Sequence, residues 1–172
     1  MSLLKKQSGF TIVELLIVIV VIAILAAITI VAYNGIQERA ANQQMTTAVR
    51  TYYTALQSYG VDNGSLPAFN SCLGAESAYN SQPCYVGAGT YNYNSALENA
   101  LRPYVSSPPT VPMNSAVNGA SVARGIFYYQ SGNYIGFLIQ GSGDCPSIAG
   151  ARFMSRAVYG DDIFCRIYLP SV

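Results

Sequence analysis

The chain has 172 residues, of which 51% are hydrophobic and only 10% are charged, and its formal net charge is +1. This near-neutral balance argues against binding of a polyanion through bulk charge. Histidine is absent, which removes the commonest general base and the commonest metal ligand. We therefore expect no enzyme, no cofactor and no metal site, in a chain long enough for one domain of about 100–150 residues with an appendage.

Residues 10–33 form an apolar segment that is unbroken from Leu15 to Ile28. A helix rises about 1.5 Å per residue, so this segment is long enough to cross the ~30 Å hydrocarbon core of a bilayer. Lys5 and Lys6 precede it and are the two lysines of the chain. The positive-inside rule then predicts a cytoplasmic N-terminus and an exported C-terminal part. The polar residues that interrupt the segment before its terminal Tyr33 are Thr11, Glu14 and Thr29.

Two simpler explanations of this segment remain open. A cleaved secretory signal would have a shorter apolar region of about 7–15 residues and a polar region after the cleavage site. Here the apolar run continues through Ile30, Val31 and Ala32. A plain signal anchor accounts for everything except Glu14 and the Ser-Gly-Phe that precedes it.

The stretch KKQSGFTIVELLIVIVVIAILAAI, which begins at Lys5, resembles the class III signal and N-terminal helix of type IV pilins and pseudopilins. This stretch and the family's signal share a short basic leader, a glycine, an aromatic residue, and Thr and Glu at fixed positions. The resemblance implies that prepilin peptidase cleaves between Gly9 and Phe10, that the leader 1–9 is lost, and that the new amine of Phe10 is N-methylated. It also implies a homopolymer of pilin subunits, built by pilus assembly machinery at the cytoplasmic membrane.

Glu14 is the residue of this segment that is least favourable in a bilayer. Insertion of a carboxylate at mid-bilayer costs about 2.5–3.5 kcal/mol of free energy, and less near the interface. Cleavage would create a charged amine at Phe10, one helical turn away, that can pair with Glu14 between staggered neighbours. The resemblance therefore assigns Glu14, together with Thr11, to subunit assembly. The alternative is a glutamate that snorkels at the membrane edge.

Residues 34–59 are predicted to continue the helix in amphipathic form. Residues expected on the other face are Arg39, Asn42, Gln43, Arg50 and Gln57. Gly60 is predicted to end the helix, and Asp62-Asn63-Gly64 to form a turn. Apolar or aromatic residues recur three and four positions apart at Ala41, Met45, Ala48, Val49, Tyr52, Ala55, Leu56 and Tyr59.

Residues 60–172 are predicted to form the globular part. A short helix is expected near residue 95, capped by Asn94 or Ser95 and ended by Pro103. Four strands are expected as two hairpins, with turns at Gly132-Asn133 and Gly160-Asp161. The predicted class is α+β, with a pilin-like long N-terminal helix packed on an antiparallel sheet of about four strands.

Four cysteines lie downstream of the apolar segment, in a part of the chain that is expected to be exported, and predict two disulfides. Three connectivities are possible, and sequence alone does not choose among them. The simplest joins Cys72 to Cys84 and Cys145 to Cys165. A loop of about 20 residues closed by the second bond would stabilise the fold by about 3 kcal/mol. It resembles the C-terminal disulfide-bounded region that type IV pilins display on the filament surface.

Three possible binding sites can each be explained more simply without a ligand. Asp144, Asp161 and Asp162 could bind calcium, although exposed turn acids explain them as well. Arg152 and Arg156 could contact DNA or another surface ligand, although a solvated strand face is commoner. The fourteen tyrosines could stack on sugars, although strand and core positions are more usual for tyrosine.

We therefore predict a structural subunit of a type IV pilus or related filament, which is a membrane protein before assembly and part of a cell-surface filament afterwards. The alternatives are a type II secretion pseudopilin, a minor pilin, or a signal-anchored extracellular binding module.

Overall fold

The computed structural model describes residues 9–170, and the backbone only of residues 30–34. Most of the predicted leader, including Lys5 and Lys6, lies outside the described residues. The chain divides into two compact units, one up to Gln37 and one from Glu38 onwards.

Helix α1 comprises Ile12–Asn63. In the first unit, the stretch Ile12–Thr29 is long and apolar enough to cross a membrane, and none of its residues is buried within the chain. The predicted apolar segment is thus helical from Ile12, and the side chains of Ile12–Thr29 have no packing partner within the chain.

In the second unit, α1 buries one face against a sheet. Burial of each large aliphatic side chain contributes about 1.5–3 kcal/mol, so this stripe holds the helix on the sheet. Tyr53 joins the predicted apolar positions, whereas Asn42, predicted to face elsewhere, is half-buried. The buried residues of α1 are Met45, Ala48, Val49, Tyr52, Tyr53, Ala55 and Leu56.

The helix ends later than predicted. Gly60 is buried inside α1, which continues to Asn63. The left-handed conformation is taken by Gly64 instead, at φ +70°. The side chain of Asn63 donates to the carbonyl of Tyr59 at 2.8 Å, which occupies an otherwise unpaired acceptor of the last turn. The prediction failed because Gly60 is tolerated in the helix and Gly64 can also end it.

The globular unit contains two short helices, α2 and α3, and nine strands. Asn94 caps α3 by accepting from the amide of Ala96 at 2.8 Å, as predicted. The elements are β1 Ser71–Cys72, α2 Glu76–Tyr79, β2 Tyr85–Val86, β3 Thr90–Tyr91, α3 Ser95–Leu101, β4 Ser115–Asn118, β5 Ser121–Arg124, β6 Ile126–Tyr129, β7 Tyr134–Ile139, β8 Arg152–Tyr159 and β9 Asp162–Tyr168.

The strands form two antiparallel sheets, with orders β1-β6-β7-β9-β8 and β3-β2-β5-β4. Both predicted hairpins, β6–β7 and β8–β9, are present and lie side by side in the larger sheet. The α+β class and the antiparallel sheet behind the helix are confirmed; the four predicted strands are joined by β1, and the smaller sheet was not predicted. The additional strands have only two to four residues, too few to show an alternating pattern in sequence.

The larger sheet separates two hydrophobic clusters. Its inner face packs on α1 through residues such as Ile135, Phe137 and Ile167. Part of its outer face is covered by the smaller sheet, where Tyr85 contacts Phe127 with ring centroids 4.9 Å apart. The globular unit is therefore a helix, a sheet and a partial third layer.

Two disulfides close the fold. Cys72 is bonded to Cys84 and Cys145 to Cys165, which is the simplest of the three possible pairings. The first links β1 to the residue before β2, and the second ties the loop after β7 to β9.

Candidate processing and assembly site

The peptide bond between Gly9 and Phe10 lies in an open stretch of chain. The Phe10 side chain is 84% exposed. Among the described residues, no atom outside Gly9 and its chain neighbours lies within 4 Å of the position that a Cβ on Gly9 would take. Within the described residues, nothing shields this bond from a peptidase.

Thr11 and Glu14 form a reciprocal hydrogen-bond pair at the start of α1. Glu14 Oε2 accepts from the amide of Thr11 and from Thr11 Oγ1, each at 2.8 Å. The amide of Glu14 donates to Thr11 Oγ1 at 3.3 Å. This is a capping box, which occupies donors that a helix N-terminus leaves unpaired and places a negative charge where the helix dipole favours it.

Sequence reasoning placed Thr11 beside Glu14 in the assembly motif but missed this role. The signal is visible in Thr11-Ile12-Val13-Glu14, because Thr followed three residues later by Glu is the capping-box pattern. Both bonds from Thr11 end on Oε2, and Oε1 makes no hydrogen bond within the described part of the chain. One carboxylate oxygen therefore remains available to a further donor.

Phe10 itself is not joined to Glu14 by a hydrogen bond among the described residues. While the leader is attached, the nitrogen of Phe10 is a peptide amide and carries no charge. An ionic partner for Glu14 at this position therefore requires a cleaved chain.

The remaining polar group of the Ile12–Thr29 stretch is satisfied locally. Thr29 Oγ1 donates to the carbonyl of Ala26 at 3.0 Å. Unsatisfied polar groups are costly in hydrocarbon, so such internal bonds suit a helix in a bilayer.

The segment 4–30 matches a family model described as the prokaryotic N-terminal methylation motif. This chain carries a prokaryotic N-terminal methylation motif. The motif includes Gly9, Phe10, Thr11 and Glu14, and therefore the capping box lies within it.

The homologues of the chain are type II secretion and fimbrial proteins. It is 33% identical over 75 residues to type II secretion system core protein G of Vibrio cholerae, covering 44% of this chain and 51% of the relative. It is 41% identical over 63 residues to prepilin peptidase-dependent protein D of Escherichia coli, covering 37% and 43%. It is 32% identical over 80 residues to a fimbrial protein of Neisseria meningitidis, covering 46% and 47%.

The chain spans about half the length of the curated relatives that it matches. No solved structure is significantly similar to it. The similarity therefore identifies the type of N-terminal segment and leaves the globular part to be described from its own structure.

The acids considered for calcium do not come together. Asp144 pairs with Arg156 at 3.1 Å, and Asp162 accepts from the amide of Gly141 at 3.1 Å. Among the described residues, no group of three or more His, Cys, Asp or Glu side chains could hold a metal ion.

The two arginines considered for DNA lie on opposite faces of β8. In the sheet, Arg152 lies opposite Tyr168 of β9 and Arg156 lies opposite Cys165. Between the two arginines, the register of β8 shifts at Phe153–Ser155. Because the shift adds one residue to the strand, positions four apart no longer share a face. The joint surface envisaged for these arginines is therefore not formed.

Proposed function

We propose that the chain is a structural subunit of a type IV pilus or a related filament and not an enzyme. It is made as a single-pass precursor in the cytoplasmic membrane, cleaved after Gly9, N-methylated at Phe10, and polymerised through α1. The observation that carries this proposal is the exposed apolar stretch Ile12–Thr29, which lies within the segment 4–30 that matches the methylation motif.

The exposed stretch supports polymerisation on physical grounds. Its large apolar side chains are 48% to 81% exposed in the single chain. Exposure of apolar surface to water costs about 25 cal/mol per Å². Such a helix can leave lipid only by burying this surface against other helices, and copies of the same chain offer it.

The geometry of Glu14 supports pairing between subunits. Thr11 occupies only Oε2, so Oε1 can accept from the new ammonium of Phe10 in a neighbouring subunit. A hydrogen bond between charged groups contributes about 1.5–3 kcal/mol, and more where water is excluded. Cleavage would thus supply the donor that the precursor lacks.

The proposed localisation follows from the same segment. The N-terminus lies in the cytoplasm, where Lys5 and Lys6 favour it, and the globular part lies outside the membrane. Disulfides persist in that oxidising compartment, in agreement with the two that join Cys72 to Cys84 and Cys145 to Cys165. After assembly, the subunit is part of a filament at the cell surface.

N-terminal sequencing and intact-mass analysis of the mature protein test this proposal. We expect a start at Phe10 with the mass of one N-methyl group. An intact Met1 would instead indicate a signal anchor that tethers a binding module. A start near Ile28 would indicate a secreted domain, and either result would overturn the proposal.

The similarity to core protein G of type II secretion systems favours one second candidate, a pseudopilin. Both candidates require the same cleavage and methylation, so processing does not separate them. Filaments sheared from the cell surface and decorated with antibody to this chain would identify a pilin. Retention of the mature chain in the cell envelope, without surface filaments, would identify a pseudopilin.

A further inference from the structure

The outer face of the larger sheet ends in a row of tyrosines and arginines that the smaller sheet does not cover. Tyr129 pairs with Tyr134, Tyr134 with Tyr168, and Tyr168 with Arg152, across β6, β7, β9 and β8. Directly paired residues of antiparallel strands project from the same face. We call these four residues, with the adjoining Tyr91 and Arg166, the outer row.

The rings of the outer row form a half-exposed platform. Tyr91 and Tyr129 have ring centroids 5.5 Å apart, and Tyr129 and Tyr134 are 5.1 Å apart. The neighbouring Phe127 and Phe164, which the smaller sheet covers, are each only 1% exposed. The covering layer therefore ends at Tyr91 of β3, which contacts Tyr129, and leaves the aromatic surface of the outer row half-exposed.

Among the described residues, neither arginine of the outer row forms an ion pair with an acidic side chain. In the described part of the chain, the single ion pair joins Arg156 to Asp144. Arg152 instead lies over the Tyr168 ring, with its guanidinium carbon 5.0 Å from the centroid. The platform is thus positively charged and has no carboxylate of its own within ion-pair distance of either arginine.

Arg166 is the more buried of the two, and its Nη1 donates to Ser155 Oγ at 3.5 Å. Its Nε is buried and has no hydrogen-bond partner among the described residues. Its guanidinium carbon lies 4.9 Å from the Phe164 ring and 5.6 Å from the Tyr134 ring. A partly buried cation held by aromatic rings, without a counter-ion, favours an anionic ligand.

The tyrosine hydroxyls of the outer row are also available. Those of Tyr129, Tyr134 and Tyr168 make no hydrogen bond within the described residues. By contrast, the hydroxyls of Tyr79 and Tyr128 donate to backbone carbonyls, at 2.8 Å and 3.0 Å. The platform therefore offers hydroxyls that can donate or accept, beside flat apolar rings.

We propose that the outer row binds an acidic oligosaccharide, with sugar rings on the tyrosines and carboxylates on both Arg152 and Arg166. Sugar rings present apolar C–H faces to aromatic rings and hydroxyls to polar groups, which matches this surface. A nucleic acid carries a phosphate on each nucleotide and is usually held by several basic residues. Two arginines in a chain of net charge +1 fit a ligand with few charges better.

Titration calorimetry of the full chain in detergent micelles tests this site. The probes are hexasaccharides of hyaluronan and of unsulfated chondroitin, each with a carboxylate on every second sugar, the fully methyl-esterified hyaluronan hexasaccharide and a thymidine oligonucleotide. We expect an acidic hexasaccharide to bind at least about tenfold more tightly than the neutral methyl ester, because only the acid can pair with an arginine. We expect the oligonucleotide to bind more weakly than either acidic probe.

Variants separate the roles within the outer row. Arg152→Gln and Arg166→Gln should each weaken binding of the acidic probe about tenfold and leave the weak binding of the ester unchanged. Tyr134→Ala should weaken both. Arg156→Gln, on the opposite face of β8, is the matched control and should leave binding unchanged.

Three outcomes would overturn the proposal. They are no binding of either acidic probe, equal binding by the Arg152→Gln variant, and tighter binding of the oligonucleotide through the same residues. Arg152 is exposed, so its variant keeps the test decisive even if Arg166→Gln fails to fold. The site does not depend on the proposed filament function, since calorimetry on unassembled protein needs neither cleavage nor polymerisation.

Discussion

The side-chain amide of Asn42 forms two hydrogen bonds with the backbone of Gln140. Asn42 Nδ2 donates to the carbonyl of Gln140 at 3.0 Å, and the amide of Gln140 donates to Asn42 Oδ1 at 2.8 Å. Gln140 directly follows β7, so the helix side chain supplies the partner that a neighbouring strand would otherwise provide. This ring fixes α1 against the end of the central strand.

Replacement of this amide should destabilise the globular unit. In Asn42→Ala, two half-buried backbone groups lose their partner, which costs about 1–3 kcal/mol. Urea unfolding followed by near-ultraviolet circular dichroism measures this change in the free energy of unfolding. The control is Gln43→Ala, at an exposed position, which should change stability by less than about 0.5 kcal/mol. Equal stability of the two variants would show that the ring contributes nothing.

Glu14→Ala should leave cleavage largely intact and reduce incorporation into filaments by at least about tenfold. The expected loss corresponds to one charged hydrogen bond of about 1.5–3 kcal/mol, and each 1.4 kcal/mol is a factor of ten. Immunoblots of sheared filaments and of membranes measure both steps. Normal filaments from this variant would contradict the role proposed for Glu14.

The capping box makes a separate prediction for Thr11. Thr11→Val removes the hydroxyl that contacts Glu14 but retains the backbone amide that donates to Oε2. We expect a smaller defect in filament incorporation than in Glu14→Ala, and normal incorporation for Thr11→Ser, which keeps the hydroxyl. A defect in Thr11→Ser as large as in Thr11→Val would show that the hydroxyl is not the group that matters.

Buried and half-buried tyrosines should make the fold sensitive to alkaline pH. Burial raises the pKa of Tyr52, Tyr79 and Tyr128, and raises the pKa of Tyr134 to about 12. The unfolded value is about 10, so the unfolded chain loses these protons first as the pH rises. Their contribution is fully present below about pH 10 and is lost as the pH rises towards the folded values, by up to about 1.4 kcal/mol per pH unit for each fully buried tyrosine.

Thermal unfolding between about pH 9 and about pH 11.5 measures this effect, and an unchanged midpoint over this range would contradict it. Tyr79→Phe provides the comparison. At neutral pH it should cost about 1–3 kcal/mol, because the carbonyls of Leu73 and Ile126 lose a donor. It should also flatten the alkaline decline, since one titrating group is gone.

Two glycines distinguish backbone strain from side-chain overlap. Both glycines have a left-handed backbone, with φ +61° at Gly160 in the β8–β9 turn and φ +60° at Gly125. A Cβ added to Gly160 would have no contact within 4 Å among the described residues outside its chain neighbours, whereas a Cβ added to Gly125 would lie 2.9 Å from the Tyr79 hydroxyl. Gly160→Ala should cost about 1–2 kcal/mol, the strain of a left-handed alanine. Gly125→Ala should cost clearly more in urea unfolding, because it also displaces Tyr79. Equal costs would show that Tyr79 moves aside freely.

The sequence determined the features that depend on local pattern. Three such features depend on residues that are close together in the sequence. They are the apolar run, the capping box of Thr11 and Glu14, and the two hairpin turns. The amphipathic repeat after residue 40 likewise predicted the helix face that packs on the sheet. The spacing of hydrophobic residues shows which side of a helix is buried, so the packing face of α1 could be predicted without tertiary information.

Only the tertiary structure decided the features made by residues far apart in the chain. The strands of the smaller sheet are too short to show an alternating pattern in sequence. The helical repeat predicted that Asn42 faces solvent, and only the fold brings the backbone of Gln140 next to it. The register of the larger sheet places side by side the members of the outer row that come from β6, β7, β9 and β8, and Tyr91 of the smaller sheet adjoins them. Sequence spacing does not encode pairing between strands, because one slip of register exchanges the faces of every side chain.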